Sequence, residues 1–133
     1  MIISEIDLSL SETQKKLILS GWGSKVLNET IVKKIVYQSD EYEVEGYLAF
    51  PSAIKDNLPV IIWNRGGNRN DGRIDDFLAK GIFGEIASWG YVVLASNYRE
   101  MDEFGGKDVN DVLNLIKLTK EIRFCDSTKI GME

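Results

Sequence analysis

The spacing of apolar residues changes along this chain and predicts two kinds of strand, antiparallel and parallel. Two β-like runs cover 30–38 and 42–50, and in the second run apolar and polar positions alternate, as in a half-buried strand. The apolar runs at 60–63 and 91–95 are instead continuous, which is typical of parallel strands covered on both faces. The pattern therefore predicts an antiparallel hairpin, turning at 39–41, followed by a parallel layer.

Helical spacing separates the later strands. Apolar residues recur at three and four positions over 74–89, where Gly81 and Gly84 weaken the predicted helix or divide it in two. A second amphipathic helix is predicted over 109–120, and 129–133 forms a last strand-like run. The fold class is thus α/β, a hairpin feeding a βαβαβ layer in a single domain. Residues that repeat at helical spacing in the second helix include Val109, Val112, Leu113 and Ile116.

The first 29 residues have a different character from the rest. The spacing of a capping box, in which two side chains cap a helix start reciprocally, occurs at Ser9 and Glu12 and again at Ser11 and Gln14. A short helix is predicted to follow and to end near 21–23, where two glycines flank a tryptophan. Residues 1–29 are therefore assigned to an amino-terminal helical appendage and residues 30–133 to the main fold.

Composition and charge exclude several partners. The net charge is -5, and the 16 lysines and arginines are scattered, so no basic surface for nucleic acid is expected. No apolar run approaches the length that spans a membrane, and the acidic start does not resemble a signal peptide, which favours the cytoplasm. With Cys125 as the single cysteine and no histidine, neither an internal disulfide nor a Cys/His metal site is predicted, and no cofactor is expected.

The strongest chemical signal is the glycine-rich segment 64–72, directly after a buried strand. Its consecutive glycines, Gly66 and Gly67, allow backbone amides to approach a ligand or an oxyanion. The alternative is that they only make a tight turn between strand and helix. The spacings of dinucleotide-binding and phosphate-binding loops are absent. Arg65 and Arg69 have the chemistry to bind a carboxylate or phosphate, or they are simply solvated.

Charged residues elsewhere have structural interpretations. Arg99 follows the second parallel strand, and we expect it to form an ion pair with a nearby acid, such as Glu100, rather than to act in catalysis. Asp75 and Asp76 are expected in the first turn of a helix, where acids are stabilised by the helix dipole. Because adjacent carboxylates on a helix point in different directions, we assign this pair no catalytic role.

The ordered series of these segments resembles the first part of the catalytic domain of the prolyl oligopeptidase family, within the α/β-hydrolase fold. The resemblance covers roughly 30–133 and depends on the order of the motifs rather than on any one of them. The segments that carry it are Val44-Glu45-Gly46-Tyr47-Leu48-Ala49-Phe50-Pro51, Leu58-Pro59-Val60-Ile61-Ile62-Trp63-Asn64-Arg65-Gly66-Gly67, Ala87-Ser88-Trp89-Gly90-Tyr91-Val92-Val93-Leu94-Ala95-Ser96-Asn97-Tyr98-Arg99, Gly106-Lys107-Asp108-Val109-Asn110-Asp111-Val112 and Asp126-Ser127-Thr128-Lys129-Ile130-Gly131-Met132.

The resemblance implies a role for the glycine-rich segment. In that family a His-Gly-Gly or Tyr-Gly-Gly motif after the third strand contributes to the oxyanion hole, and here Arg65 stands in the place of the aromatic or imidazole residue. The implied oxyanion donors are the backbone amides of Gly67 or Asn68, with Arg65 beside them. Gly66 and Arg99 are expected to support this loop.

The resemblance also identifies what this chain lacks. In the family the fifth strand, here 129–133, leads into the G-x-S-x-G nucleophile elbow, and the acid and histidine of the triad follow. None of these is present, and the chain has no histidine, so hydrolysis by the chain alone is not expected. The exposed edge strand, 129–133, would then be expected to pair with either the missing carboxyl-terminal part or a second copy of the chain. The alternative function is a non-catalytic binding or interaction module that uses the Gly66-Gly67 loop.

Overall fold

A computed structural model describes residues 2–53, 57–63, 75–96 and 109–132 of the chain. Their strands form one mixed sheet, because one group of strands pairs antiparallel and another pairs parallel. The strands are β1 (Ile2–Asp7), β2 (Thr30–Ser39), β3 (Tyr42–Pro51), β4 (Leu58–Trp63), β5 (Val92–Ser96) and β6 (Cys125–Met132). Their order across the sheet is β1-β2-β3-β5-β4-β6, so that β1 and β6 occupy the two edges of the described sheet.

The predicted hairpin and parallel layer are both confirmed. β2 and β3 pair antiparallel from Thr30 opposite Pro51 to Ser39 opposite Tyr42. Their two-residue connection begins at Asp40, whose φ of 55° lies in the left-handed region that aspartate tolerates in tight turns. β4 pairs parallel with both β5 and β6, which gives the expected βαβαβ succession. An antiparallel contact between β3 and β5 joins the hairpin to this layer.

Helices cover the sheet and include one irregular segment. They are α1 (Glu12–Gly21), α2 (Ser24–Asn28), α3 (Asp76–Leu78), a π-helical turn (Ala79–Phe83), α4 (Gly84–Ser88) and α5 (Val109–Leu118). Of the helix expected over 74–89, residues 76–88 are helical, with a wide π turn around Gly81 instead of a break. The capping box at Ser11 and Gln14 is confirmed, with the Gln14 amide donating to Ser11 Oγ at 3.1 Å and the Ser11 amide donating to Gln14 Oε1 at 3.0 Å.

The helical description of 1–29 is wrong for its first residues. Ile2–Asp7 forms a strand that pairs antiparallel with β2, and Ile6 lies opposite Lys34. This strand depends on a partner about thirty residues away in sequence, because β2 offers it an open edge of backbone donors and acceptors. The helical prediction is confirmed only for 12–28, where α1 and α2 lie.

Two clusters of buried side chains fill the opposite faces of the sheet. We call the first the α5 face, because it packs under Leu115, Leu118 and Ile122, and the second the π-helix face, because it packs under Ala79, Phe83 and Ala87. On the α5 face the sheet contributes Ile35, Tyr37, Val44, Leu48, Phe50, Leu58, Val60, Ile62, Val92 and Leu94. On the π-helix face it contributes Val32, Tyr47, Ala49, Val93 and Ala95.

This double cover corrects two sequence predictions. β3 was expected to be half buried, but Tyr47 and Ala49 are as buried as Leu48, because helices lie over both faces of the sheet. In α5, Leu113 is 47% exposed whereas Leu115 is fully buried. The apolar stripe that meets the sheet is therefore rotated, and it consists of Val112, Leu115, Ile116 and Leu118.

β6 contains a local interruption next to the single cysteine. Cys125 lies opposite Leu58, but the next register pair joins Val60 to Ile130, so β6 carries extra residues between these two points. The Asp126 carboxylate accepts hydrogen bonds from the amide and hydroxyl of Thr128, which forms the turn expected at 126–128 and lowers the pKa of Asp126. Burial raises the pKa of the Cys125 thiol to about 12.

Candidate functional site

The carboxyl ends of the three parallel strands lie side by side at one edge of the sheet. Trp63 in β4 is in register with Ala95 in β5, and Ile62 is in register with Met132 in β6. The chain passes from β4 to β5 and then crosses back over β4 to β6, so the direction of the connections reverses at β4. In open α/β sheets such a reversal, at the carboxyl ends of the strands, is where ligands bind.

The candidate residues from the sequence follow the strands that end at this edge. Arg65, Gly66, Gly67 and Asn68 come directly after β4, within 64–74, which lies outside the described residues. Arg99 follows β5, within 97–108, and also lies outside them. Because β4 and β5 are hydrogen-bonded neighbours in parallel register, the strands that lead into both segments end next to each other. The roles assigned to these five residues remain predictions.

Polar contacts stabilise the strand ends that the structure describes at this side of the sheet. The Tyr37 hydroxyl lies 2.7 Å from Ser96 Oγ, where both residues are buried and Ser96 ends β5. Asn114 Nδ2 on α5 donates to Ser39 Oγ at 3.0 Å, which ties the end of β2 to the helix above it. These contacts are not predictable from the sequence, because a serine or tyrosine in an alternating strand pattern gives no sign of its cross-strand partner.

Gly46 also contributes to this edge, through its lack of a side chain. It lies opposite Ser96, and a Cβ built on it would come within 2.3 Å of the Ala95 carbonyl oxygen. A methyl group at this position would force β3 and β5 apart. Gly46 therefore allows the hairpin to join the parallel layer at the level where β5 ends.

An open groove of about 470 Å³ lies on the π-helix face, level with the ends of β4 and β5. It carries more acidic than basic side chains, since three carboxylates meet a single lysine. Its lining residues are Gln14, Lys34, Glu45, Tyr47, Asp75, Asp76 and Phe77. The groove brings the amino-terminal segment, the hairpin and α3 together, three regions that the sequence analysis treated separately.

The two adjacent acids in this groove have structural partners, and of the predicted first-turn pair only Asp76 lies in the first turn of α3. Asp75 caps α3 by accepting a hydrogen bond from the Leu78 amide at 2.8 Å. Asp76 Oδ1 accepts from the Tyr47 hydroxyl at 3.2 Å and lies 3.2 Å from Lys34 Nζ. Burial, reinforced by the charge of Asp76, raises the pKa of Tyr47 well above its ordinary value, so this hydroxyl stays protonated and donates.

The described residues contain neither a metal-binding cluster nor a membrane-spanning helix. Within 2–53, 57–63, 75–96 and 109–132, no group of three or more histidine, cysteine, aspartate or glutamate side chains is arranged to hold a metal ion. In the same part of the chain, no helix is both long enough and apolar enough to cross a membrane.

Comparison with known proteins gives matches by structure. No protein-family model matches the sequence, and no curated protein matches it. Among solved structures, an acylaminoacyl peptidase in complex with Z-Gly-Gly-Phe-chloromethyl ketone matches with a TM-score of 0.65 and 22% identity over 79% of this chain. Prolyl oligopeptidase B from Galerina marginata matches with a TM-score of 0.61 and 15% identity over 80% of this chain. The acetyl xylan esterase from Paenibacillus sp. R4 has a TM-score of 0.63 and 14% identity over 96% of it.

The chain has part of an α/β-hydrolase fold. The resemblance found in the sequence is thus confirmed at the level of the fold, since these two peptidases and this esterase match the chain in structure. The chain spans 19% of the acylaminoacyl peptidase, 17% of prolyl oligopeptidase B and 52% of the acetyl xylan esterase. The region that matches this chain is therefore a minor part of both peptidases and about half of the esterase.

Proposed function

We propose that this chain is the front, sheet-forming part of a serine hydrolase of the peptidase or esterase type. The observation that carries the proposal is the parallel register of β4, β5 and β6, whose carboxyl ends lie together just where the glycine-rich segment begins. The structural likeness to peptidases and esterases supports the same class of chemistry. In this proposal the front part supplies the platform for the oxyanion, and other residues supply the nucleophile and its base.

The glycine-rich segment is proposed as the oxyanion site. The backbone amides of Gly67 or Asn68 would donate to the negatively charged oxygen that develops when an ester or amide carbonyl is attacked. Arg65 would add positive charge beside them, while Gly66 and Arg99 would support the loop. Donors that are already in position when the charge develops contribute about 100- to 1,000-fold each to the rate of acyl transfer.

We propose that the 133 residues do not catalyse hydrolysis alone. A serine hydroxyl is a weak nucleophile until a neighbouring base removes its proton, and in the usual triad that base is a histidine. The chain contains no histidine. We further propose that β6 pairs either with the remaining part of the hydrolase domain or with a second copy, and that the protein works in the cytoplasm.

The decisive experiment has a genetic and a chemical arm. Sequencing the gene beyond codon 133 should show G-x-S-x-G within a few codons in the same frame, followed by an acid and a histidine. In parallel, the 133-residue chain should not be labelled by a fluorophosphonate probe, whereas the product of the longer frame should be labelled. A stop codon at this point, with no such motif downstream, would overturn the proposal and favour a non-catalytic binding module.

A further inference from the structure

Residues 9–30, which include α1 and α2, contact the helical segment 76–88 from Asp76 to Gly84. At its start, the Ser9 amide donates to Asp76 Oδ2 at 3.2 Å. Trp22 packs edge-to-face on Phe77, the next residue of this helical segment, with ring centroids 5.8 Å apart. These contacts join residues more than fifty positions apart in sequence. We call residues 9–30 the brace.

The fit between the brace and the π-helical turn requires glycine. A Cβ built on Gly81 would lie 2.6 Å from Cζ2 of Trp22, closer than real side-chain contacts allow. A Cβ on Gly84 would lie 2.9 Å from Cγ1 of Val26 and 3.1 Å from Oγ1 of Thr30. At the two glycines that weaken this helix in the sequence pattern, the brace therefore leaves no room for a Cβ.

A buried amine adds hydrogen bonds to the same contact. Lys80 is 8% exposed, and its Nζ donates to the carbonyl oxygen of Thr30 at 2.9 Å and to its hydroxyl at 3.1 Å. The Thr30 hydroxyl in turn donates to the carbonyl oxygen of Val26 in α2. A π turn is rare and is found mostly as a single turn at functional sites, so outside contacts of this kind are expected to hold it.

We infer that the brace positions the start of helix 76–88 at the carboxyl edge of the sheet, with Trp22 and Thr30 as positioning residues. This inference rests on the proposed function, because the helix begins directly after the segment 64–74 that carries the oxyanion candidates. The acetyl xylan esterase match covers 96% of this chain, so most of the brace lies within the part of the fold that the two proteins share.

The first test measures amide hydrogen exchange in the 133-residue chain carrying Gly81→Ala. Exchange should become about 10-fold faster or more in 76–88, because the added methyl displaces Trp22, while exchange in β5 stays unchanged. Gly21→Ala is the matched control, since nothing lies within 4 Å of a Cβ at that position. Equal acceleration in β5, or no acceleration anywhere, would overturn the inference.

A double substitution tests whether Trp22 is the group that the methyl meets. In a Trp22→Ala background, Gly81→Ala should add less than about 2-fold to the exchange of 76–88, because the clashing ring is gone. Additive effects of the two substitutions would contradict the brace. If Trp22→Ala does not fold, Trp22→Phe is the milder background, and a reduced effect of Gly81→Ala is expected there too.

Activity separates this inference from the proposed function. In the product of the longer reading frame, Gly81→Ala should lower kcat about 10-fold with little change in KM, because positioning the oxyanion donors affects the transition state more than substrate binding. Gly21→Ala should leave both constants unchanged. Unchanged kcat in Gly81→Ala would overturn the positioning role, whereas an inactive wild type would contradict only the proposed hydrolase, since the exchange experiment needs no activity.

Discussion

The two faces of the sheet are packed by different means. On the α5 face, large aliphatic side chains such as Ile62, Leu94 and Leu115 are fully buried between the strands and one regular helix. On the π-helix face, half of the buried cluster is alanine, and the helical segment comes close enough for glycine to be required at its contact with the brace. One face is therefore expected to be sensitive to lost volume, and the other to added volume.

The largest effect should come from removing volume on the α5 face. Leu115→Ala should lower the free energy of unfolding by about 2–5 kcal/mol, because it leaves a cavity under a fully buried side chain. Leu113→Ala, two residues away on the exposed side of α5, should change it by less than about 0.5 kcal/mol. Urea denaturation followed by circular dichroism measures both, and equal losses would show that α5 is rotated differently on the sheet.

Adding volume on the π-helix face should have the next largest effect. Ala87→Val introduces two methyl groups into a fully buried position and should lower the free energy of unfolding by about 1–3 kcal/mol. On the α5 face, Leu118→Met conserves volume and should lower it by less than about 1.5 kcal/mol. A larger loss for Leu118→Met than for Ala87→Val, in the same denaturation assay, would remove the contrast between the two faces.

A smaller effect is expected from the polar contact at the end of β5. Tyr37→Phe removes the hydroxyl beside Ser96 and should lower the free energy of unfolding by about 1 kcal/mol, a usual contribution for one hydrogen bond. Because Tyr37 belongs to the α5 face, its ring packing should be preserved. A loss as large as that of Leu115→Ala would mean that the hydroxyl, and not the packed volume, dominates this region.

The smallest expected effect is a pH dependence of stability that comes from Lys80 on the π-helix face. Burial lowers the pKa of Lys80, so between its folded and unfolded pKa values the unfolded chain binds more protons. The contribution of Lys80 to stability should therefore rise with pH through that window. Denaturation of wild type and Lys80→Met should show that the free energy of unfolding of wild type rises relative to that of the variant between pH 7 and pH 10. A difference that stays constant with pH would contradict this prediction.

The pKa shifts of other groups do not disturb that comparison. Tyr47 and Cys125 have raised pKa values, so the stability they contribute is present at neutral pH. It is lost as the pH rises above their unfolded pKa values, when the unfolded chain begins to release these protons. Both residues are present in wild type and in Lys80→Met, so their effects cancel in the difference between the two proteins.

The sequence predicts the elements whose signals are local. The hairpin and the capping box at Ser11 are encoded within a few residues, and the continuous runs at β4 and β5 correctly indicate parallel strands. β1 is missed because its short run lacks a regular apolar–polar alternation and forms a strand only against the edge of β2. The rotation of α5 is also missed, since Leu113 and Leu115 are equally apolar and only the sheet decides which is buried.

The candidate site is predictable to a smaller extent. Connectivity places the glycine-rich segment after a strand at the carboxyl edge, and the register of β4, β5 and β6 agrees with that expectation. Asp76 lies in the first turn of α3 as predicted, whereas Asp75 is the N-cap residue before it. The contacts of Asp76 with Ser9 and Tyr47 join three distant parts of the chain. No local pattern reports such contacts, because they depend on how the brace and the hairpin meet in space.

The cysteine at the start of β6 has a practical consequence. A thiol with a pKa of about 12 is almost entirely protonated at neutral pH, and the protonated form reacts slowly with alkylating reagents. Labelling of Cys125, which is partly exposed, should then be slow at pH 7 while β6 pairs with Leu58 in β4, and faster in molecules that have lost this pairing. Following alkylation over time by mass spectrometry thus tests how stably this edge strand is held, without any engineered label.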